Sequence, residues 1–497
     1  MNKTITEFKN YVERFDTLRK VAATISFDNQ IYAPKGGLAT RSKRLSFLSL
    51  EIFEMITSDK MKALLDELFP IANTLDTVTA AMVREFKKAY NDSTKIPKEL
   101  VKELSETQTN AFEAWQKAKT ENNFKDFAPH LKKLIELRKK SISYRAEKGQ
   151  NAYEILLDDF ETGMNIETYD KLFNEYKEVA VPLLKKIQAK KQLETDYINK
   201  HINIEDQKKI VEFISTKLGY DLNRGLIEIA PHPFCMTIDK YDVRITTRYI
   251  EKDLFRSFYS TIHETGHALY EQNTADELLG TALNRGASMG MHESQSRFYE
   301  NMIGRSEEFW DYILDELKTY LPEEFQDLTQ RQFYEAANKV EASLIRVEAD
   351  ELTYGIHILI RYEIEKMIFT EDINVEDLPA IWNKKYEEYL GVTPPTDTEG
   401  ILQDVHWAYG NFGYFPTYFL GSAYAAQFFA KFNQRNIKEL IKKGDFKTIT
   451  AWLTENFHKH GSVYEPKELV QNFIGEQLNV KYYADYLTEK FTEIYGL

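Results

Sequence analysis

The chain has 497 residues and a net charge of -14, from 78 acidic against 64 basic side chains, which disfavours nucleic acid as a partner. A single cysteine, Cys235, excludes an intramolecular disulfide and an all-cysteine zinc site, and fits a reducing compartment. With 43% hydrophobic residues, no signal-like N-terminus, no membrane-length apolar run and no low-complexity linker, the expectation is one soluble, cytoplasmic body spanning residues 1–497.

From Thr4 to about residue 230, helix follows helix. Thr4 and Glu7 have capping-box spacing, and Phe8, Tyr11, Val12 and Phe15 follow at helical intervals. Pro34, Gly36 and Gly37 end that helix, and a second is expected from near Ala39. Further helices are expected around 60–69, 74–92, 98–119, 126–148, 167–192 and 205–218, many with a lysine- and glutamate-rich solvated side. This half reads as scaffold. Residues 231–249 break the pattern, because Val243, Ile245 and Thr247 alternate with Arg244, Thr246 and Arg248. That alternation predicts a short β-ribbon turning near Asp239 to Tyr241. Such an edge strand either pairs with an extended peptide backbone or merely caps a helix bundle.

The ribbon leads into a helical run holding His263, Glu264 and His267. Positions i and i+4 of a helix share a face, so the two imidazoles can grip one ion, with Glu264 beside them in the HExxH arrangement of zinc peptidases. A third ligand requires the chain to turn back. Gly280, Gly286 and Gly290 suit that bent connection. Among the carboxylates around it, Glu293 is the first choice and Glu300 the second; Glu271 is disfavoured, lying one turn beyond His267 on the same helix. Three protein ligands would leave a position for water, with Glu264 as its base.

A long helix is then expected from Thr329 to Phe369, carrying the charged stretch Ile345 to Tyr354 with Arg346 in it. A loop follows at residues 391–400, then Gln403, Asp404, His406 and Trp407, then an aromatic, glycine-punctuated segment from Tyr409 to Tyr424.

Five of these segments together resemble the carboxypeptidase Taq family of zinc metallocarboxypeptidases. They are HPF at His232 to Phe234, DxRxT at Asp242 to Thr246, HExxH at His263 to His267, HESQ at His292 to Gln295, and GxxQDxHW at Gly400 to Trp407. An IRxEADE-like stretch at Ile345 to Glu351 also fits, whereas Phe27 to Gln30 stands where a Trp-Asp segment is more typical. The resemblance implies an all-α, elongated body with a deep central groove and a small β-ribbon beside the metal, usually a homodimer. It implies release of single residues from peptide C-termini with broad specificity. His263, His267 and Glu293 become the zinc ligands, with cobalt or manganese as substitutes. By analogy, His406 and either Tyr414 or Tyr418 become donors to the oxyanion, His292 a neighbour of the metal ligands, and His232 part of the groove wall. An exopeptidase also needs a cation for the terminal carboxylate; Arg346 is the candidate and Arg244 the alternative. Two rivals stand beside this reading. One is an oligoendopeptidase with the same metal chemistry, and the other a helical peptide-binding scaffold holding no metal.

Overall fold

The protein, in a computed structural model that describes residues 2–147, 149–432 and 436–497, is helical apart from one three-stranded sheet. Its chain forms two compact units, each assembled from three separated segments. Unit 1 takes Met1–Thr94, Glu194–Ala337 and Phe428–Gln477, and unit 2 takes Lys95–Leu193, Asn338–Gln427 and Leu478–Leu497. Among the described residues, no helix is long and apolar enough to cross a membrane.

In unit 1 the first helix covers Asn2–Ile31 and the second Leu38–Thr57, separated at Pro34 as expected. Since the helix already runs at Asn2, Thr4 is not its cap; its hydroxyl donates instead to Glu67 at 2.9 Å. Phe8, Val12 and Phe15 lie on one helical face and bury against Leu64, Leu65 and Leu68 of Asp59–Leu68 and Met82, Val83 and Phe86 of the next helix. Full burial of each such side chain contributes roughly 1.5–3 kcal/mol.

The ribbon forms where the alternation places it, with one strand more than expected. Strands β1 (Ile227–Ile229), β2 (Cys235–Asp239) and β3 (Asp242–Thr247) lie in the order β1-β3-β2. Central β3 runs antiparallel to β2 and parallel to β1. Val243 and Ile245 face inward against Tyr220 and Ala268, with partly buried Cys235 beside them. Thr246, expected to face out, is buried as well, because its hydroxyl accepts the Phe234 N–H at 2.9 Å. Two of the five motif segments are therefore bound to each other.

In unit 2 the helices Lys98–Glu121 and Phe124–Ser143 pack together, and a short helix at Ala152–Phe160, absent from the sequence reading, starts where Asn151 accepts the Tyr153 N–H. The expected helix from Thr329 to Phe369 is two helices. Gln330–Ala337 belongs to unit 1, and Glu351–Thr370 crosses the interior of unit 2. The break follows from Asp350, whose Oδ1 accepts the Leu352 and Thr353 N–H groups at 2.9 and 3.0 Å and so caps a new helix rather than continuing an old one. Arg346 consequently sits on a single 3-10 turn, Arg346–Glu348, and not on a long helix.

Candidate functional site

In unit 1 the helix Leu254–Gln272 begins at Asp253, which accepts the Arg256 N–H at 3.0 Å. It is buried on most sides, and a less buried stripe passes through Arg256, Ser260, His263 and His267. The returning helix Met289–Arg297 is capped by Ser288 and continues as a π-helical turn, Phe298–Gly304. The two helices touch through Gly266. A Cβ there would lie 2.5 Å from the Gln295 carbonyl oxygen, so only glycine permits this approach.

That contact brings Glu293 to the histidines. Its Oε2 lies 3.6 Å from His263 Nε2 and 3.4 Å from His267 Nε2, and one ligand atom from each of the three residues falls within 4.8 Å of the others. Ligand atoms about 2.1 Å from a tetrahedral ion are about 3.4 Å apart, so the spacing and the two-nitrogen, one-oxygen donor set fit a borderline divalent metal such as zinc. The far nitrogens of both rings are held in place. His263 Nδ1 donates to Glu300 Oε2 at 2.8 Å, and His267 Nδ1 donates to the His292 carbonyl at 3.1 Å. Each ring thus turns its Nε2 lone pair toward the shared point.

Charge is arranged to keep Glu293 and Glu300 ionised. Burial alone would raise the Glu293 carboxyl, but Arg297, His263 and His267 outweigh it and hold the group well below the usual carboxylate range. Glu300 is held down in the same way, against burial, by Arg297, His263 and Arg305. Glu264 is different. Burial pushes its carboxyl up to about 7, with His263 opposing and Glu293 adding to the rise. His267, buried and next to His292, is pushed down to about 3 and is neutral.

Behind the ligands, His292 Nδ1 lies 2.6 Å from His267 Nδ1, while its Nε2 donates to Glu271 Oε1 at 2.8 Å. The same Glu271 oxygen accepts the Gly286 N–H at 3.0 Å, tying the bent connection back onto the helix Leu254–Gln272. Gly286 has to be glycine here, since a Cβ would come within 2.6 Å of the His292 ring. Gln295 accepts from buried His458 at 2.9 Å, which anchors the returning helix to the third segment of the unit. Of the ribbon residues, Arg244 is paired with Asp242 at 2.7 and 2.6 Å and stacked on Phe27, and His232 is exposed.

The unit 2 candidates belong to a second constellation. Along the helix Glu351–Thr370, His357, Arg361 and Glu365 recur every four residues and are fully buried. His357 meets the Tyr386 hydroxyl at 2.9 Å, and the other two hold the GxxQDxHW segment. Arg361 reaches Asp404 at 2.7 Å and Gln403 at 2.8 Å; Glu365 accepts Trp407 Nε1–H at 2.7 Å and the Gly413 N–H at 2.8 Å. Arg346 is part of the same network, donating to Asp404 at 3.0 and 2.8 Å and to the Tyr354 hydroxyl at 3.1 Å. Its charge is thus already compensated by a carboxylate. His406 keeps a polar contact with the Tyr418 hydroxyl at 3.4 Å, and Tyr414 packs edge-on to both Phe160 and Tyr418. Burial, with Arg346 and Arg361 nearby, pushes the His406 imidazole down to about 4 despite Asp404.

Sequence reasoning did not single out Arg297, Arg305 or His458. Arg297 was findable, since it stands four residues after Glu293 on the same helix, whereas His458 comes from a distant segment with no local signal.

Residues 7–491 match the family model described as "Carboxypeptidase Taq (M32) metallopeptidase". The chain is similar to carboxypeptidase 1 of Bacillus subtilis, with 44% identity over 99% of this chain and 98% of that protein. It is also similar to a solved structure of Pyrococcus furiosus carboxypeptidase, at 35% identity and a TM-score of 0.96 over 99% of both chains. A crystal structure of a carboxypeptidase from Deinococcus radiodurans superposes with a TM-score of 0.95 at 33% identity, over 100% of both chains.

Proposed function

The chain belongs to the carboxypeptidase Taq family of metallopeptidases, and on that premise we propose that it is a zinc carboxypeptidase in which His263, His267 and Glu293 hold the ion and Glu264 moves the proton. It is a carboxypeptidase, as its relatives along the full chain are named, and not the oligoendopeptidase that the sequence left open. The observation that carries the metal assignment is the convergence of His263 Nε2, His267 Nε2 and Glu293 Oε2 with both Nδ1 atoms already engaged elsewhere.

When bound, the ion supplies a Lewis acid and lowers the pKa of a water toward about 7. With an ion held by His263, His267 and Glu293, Glu264 would be the group to take a proton from the attacking water. Burial raises its carboxyl above the usual carboxylate range, the direction that suits a group taking a proton and returning it to the departing amine. Glu300 and the His292 carbonyl hold the two imidazoles in orientation throughout. His406 with Tyr418 or Tyr414 is proposed as the donor set for the developing oxyanion, and His232 as part of the groove wall. Arg346 remains the proposed partner of the substrate carboxylate, through N–H groups beyond those given to Asp404 and Tyr354, with Arg244 as the alternative. The whole chain acting as one catalytic body, a homodimer in solution and a cytoplasmic location complete the proposal.

The test is a pair of variants read by metal content and by hydrolysis of one peptide with a free and an amidated C-terminus. Glu264→Gln should retain metal and lose activity by several orders of magnitude, while Glu293→Ala should lose the metal. The parent should cut the free-acid peptide in strong preference. Metal retained by Glu293→Ala and lost by Glu264→Gln would reverse the two roles.

A further inference from the structure

Glu293 has two oxygens, and they face different partners. Oε2 points to both imidazoles, at 3.6 and 3.4 Å, and also receives the Ser296 hydroxyl at 3.2 Å. Oε1 accepts Arg297 Nε at 2.7 Å, a pair made possible by the four-residue helical spacing. Both side chains are nearly buried, so this is not a screened surface contact. Arg297 is itself fixed from the other side, with Nη1 donating to Glu300 Oε2 at 3.3 Å. Glu300 in turn is held by Arg305 Nη2 at 3.1 Å and by His263 Nδ1 at 2.8 Å. The π-helical turn Phe298–Gly304 carries Glu300 in this array.

A carboxylate whose two oxygens are both available can chelate an ion with both, filling a position that water and substrate need. We infer that Arg297 sets the denticity of the metal centre, drawing Oε1 away so that Glu293 offers the ion one oxygen. Arg297 is then a positioning residue for a coordination number. It rests on the metal reading above and adds a direction to it. A residue that merely props up the fold would, when removed, weaken metal binding by about 10–100-fold, as disturbed outer-shell groups do. Removing Arg297 takes a cation from beside the ion and frees a second ligand atom, so metal binding should hold or tighten while the site loses its open position.

The experiment uses the full-length protein loaded with cobalt, whose visible absorption is strong in four-coordinate sites and weak at higher coordination. The parent should show the strong bands. Arg297→Met should lose most of that intensity, bind cobalt at least as tightly as the parent in competition with a chelator, and show kcat reduced by about 10–100-fold with KM little changed. Arg297→Lys, which can still pair with Glu293 at the same spacing, should restore the bands. If Arg297→Met does not fold, Arg297→Leu, which likewise has no donor for Glu293, carries the same expectation for bands and affinity. Parent-like bands in the methionine or leucine variant, or a roughly 10–100-fold loss of affinity with bands unchanged, would overturn the inference. A lysine variant as weak in absorption as the methionine one would do so too. Failure of the parent to bind cobalt or zinc at all is a separate result, which would remove the metal reading and this inference with it.

Discussion

Asp404→Asn exchanges one oxygen for an amide nitrogen in the polar interior of unit 2. In the parent, Oδ1 accepts two N–H groups of Arg346 at 3.0 and 2.8 Å, and Oδ2 accepts Arg361 at 2.7 Å. The two guanidiniums are 6% and 0% exposed, so water does little to compensate them. Stripping the partner from a buried charge costs about 3–5 kcal/mol. Counted instead as the two Arg346 hydrogen bonds at Oδ1, at about 1.5–3 kcal/mol each, the loss is about 3–6 kcal/mol, so the two routes agree. That is a large share of the roughly 5–15 kcal/mol by which domains are stable. Urea unfolding followed by tryptophan fluorescence suits the measurement, because Trp382 stacks 4.5 Å from the Arg361 guanidinium and Trp407 lies in the clamped segment. The pH dependence has a definite sign. Burial would raise the Asp404 carboxyl, but Arg346 and Arg361 hold it far below its ordinary 3.8. A depressed carboxyl gives stability that is full above its unfolded value and is lost only as pH falls through the folded one. The gap between parent and variant should therefore stay constant from about pH 8 to about pH 4 and narrow only below that. A destabilisation under about 1 kcal/mol, the scale of an ordinary surface change, would refute the view that Asp404 bridges both arginines.

Glu365→Gln should lower stability by about 1–3 kcal/mol, since Oε1 accepts Trp407 and Oε2 accepts both Tyr153 and Gly413, and either amide orientation sets N–H against N–H. An unchanged melting temperature would show that the carboxylate does not anchor that segment. Gly266→Ala should weaken metal binding by about 10–100-fold through separation of the two ligand helices, measured by chelator competition. Parent affinity in that variant would mean that the helices need not touch. Gly286→Ala should likewise displace the His292 ring and its bond to Glu271, seen as altered imidazole resonances in proton spectra. Unaltered resonances would show that the ring has room to spare.

What could be read from the sequence was local in origin. The His263–His267 spacing is a property of one helix, and the alternation of β3 a property of one strand, so both were visible. Strand β1 was not, because three residues carry no period and its partner Ile245 lies 18 positions after Ile227. The break before Glu351 was hidden because no glycine or proline interrupts residues 329–350, and Asp350 reads as one more charge in that stretch when it is a helix cap. His357, Arg361 and Glu365 show the limit most clearly. A polar residue every fourth position is the signature of a solvated face, and nothing nearby in sequence says that Asp404, Trp407 and Gly413 come to meet them. Arg346 was read as a free cation for the same reason, its compensating carboxylate being 58 residues away.

The three-segment construction of unit 2 sets an order of events at birth. Glu351, buried at the start of the central helix, meets its cation in Lys490, whose Nζ lies 2.6 Å from Oε2 and 139 residues further along the chain. At about 5–20 residues per second, the ribosome delivers that lysine roughly 7–28 s after the glutamate. Throughout that interval the helix Glu351–Thr370 has every other reason to bury itself and one buried charge with nothing to neutralise it. A nascent chain therefore completes unit 2 only when its last twenty residues arrive, and until then burying Glu351 leaves its charge without that lysine.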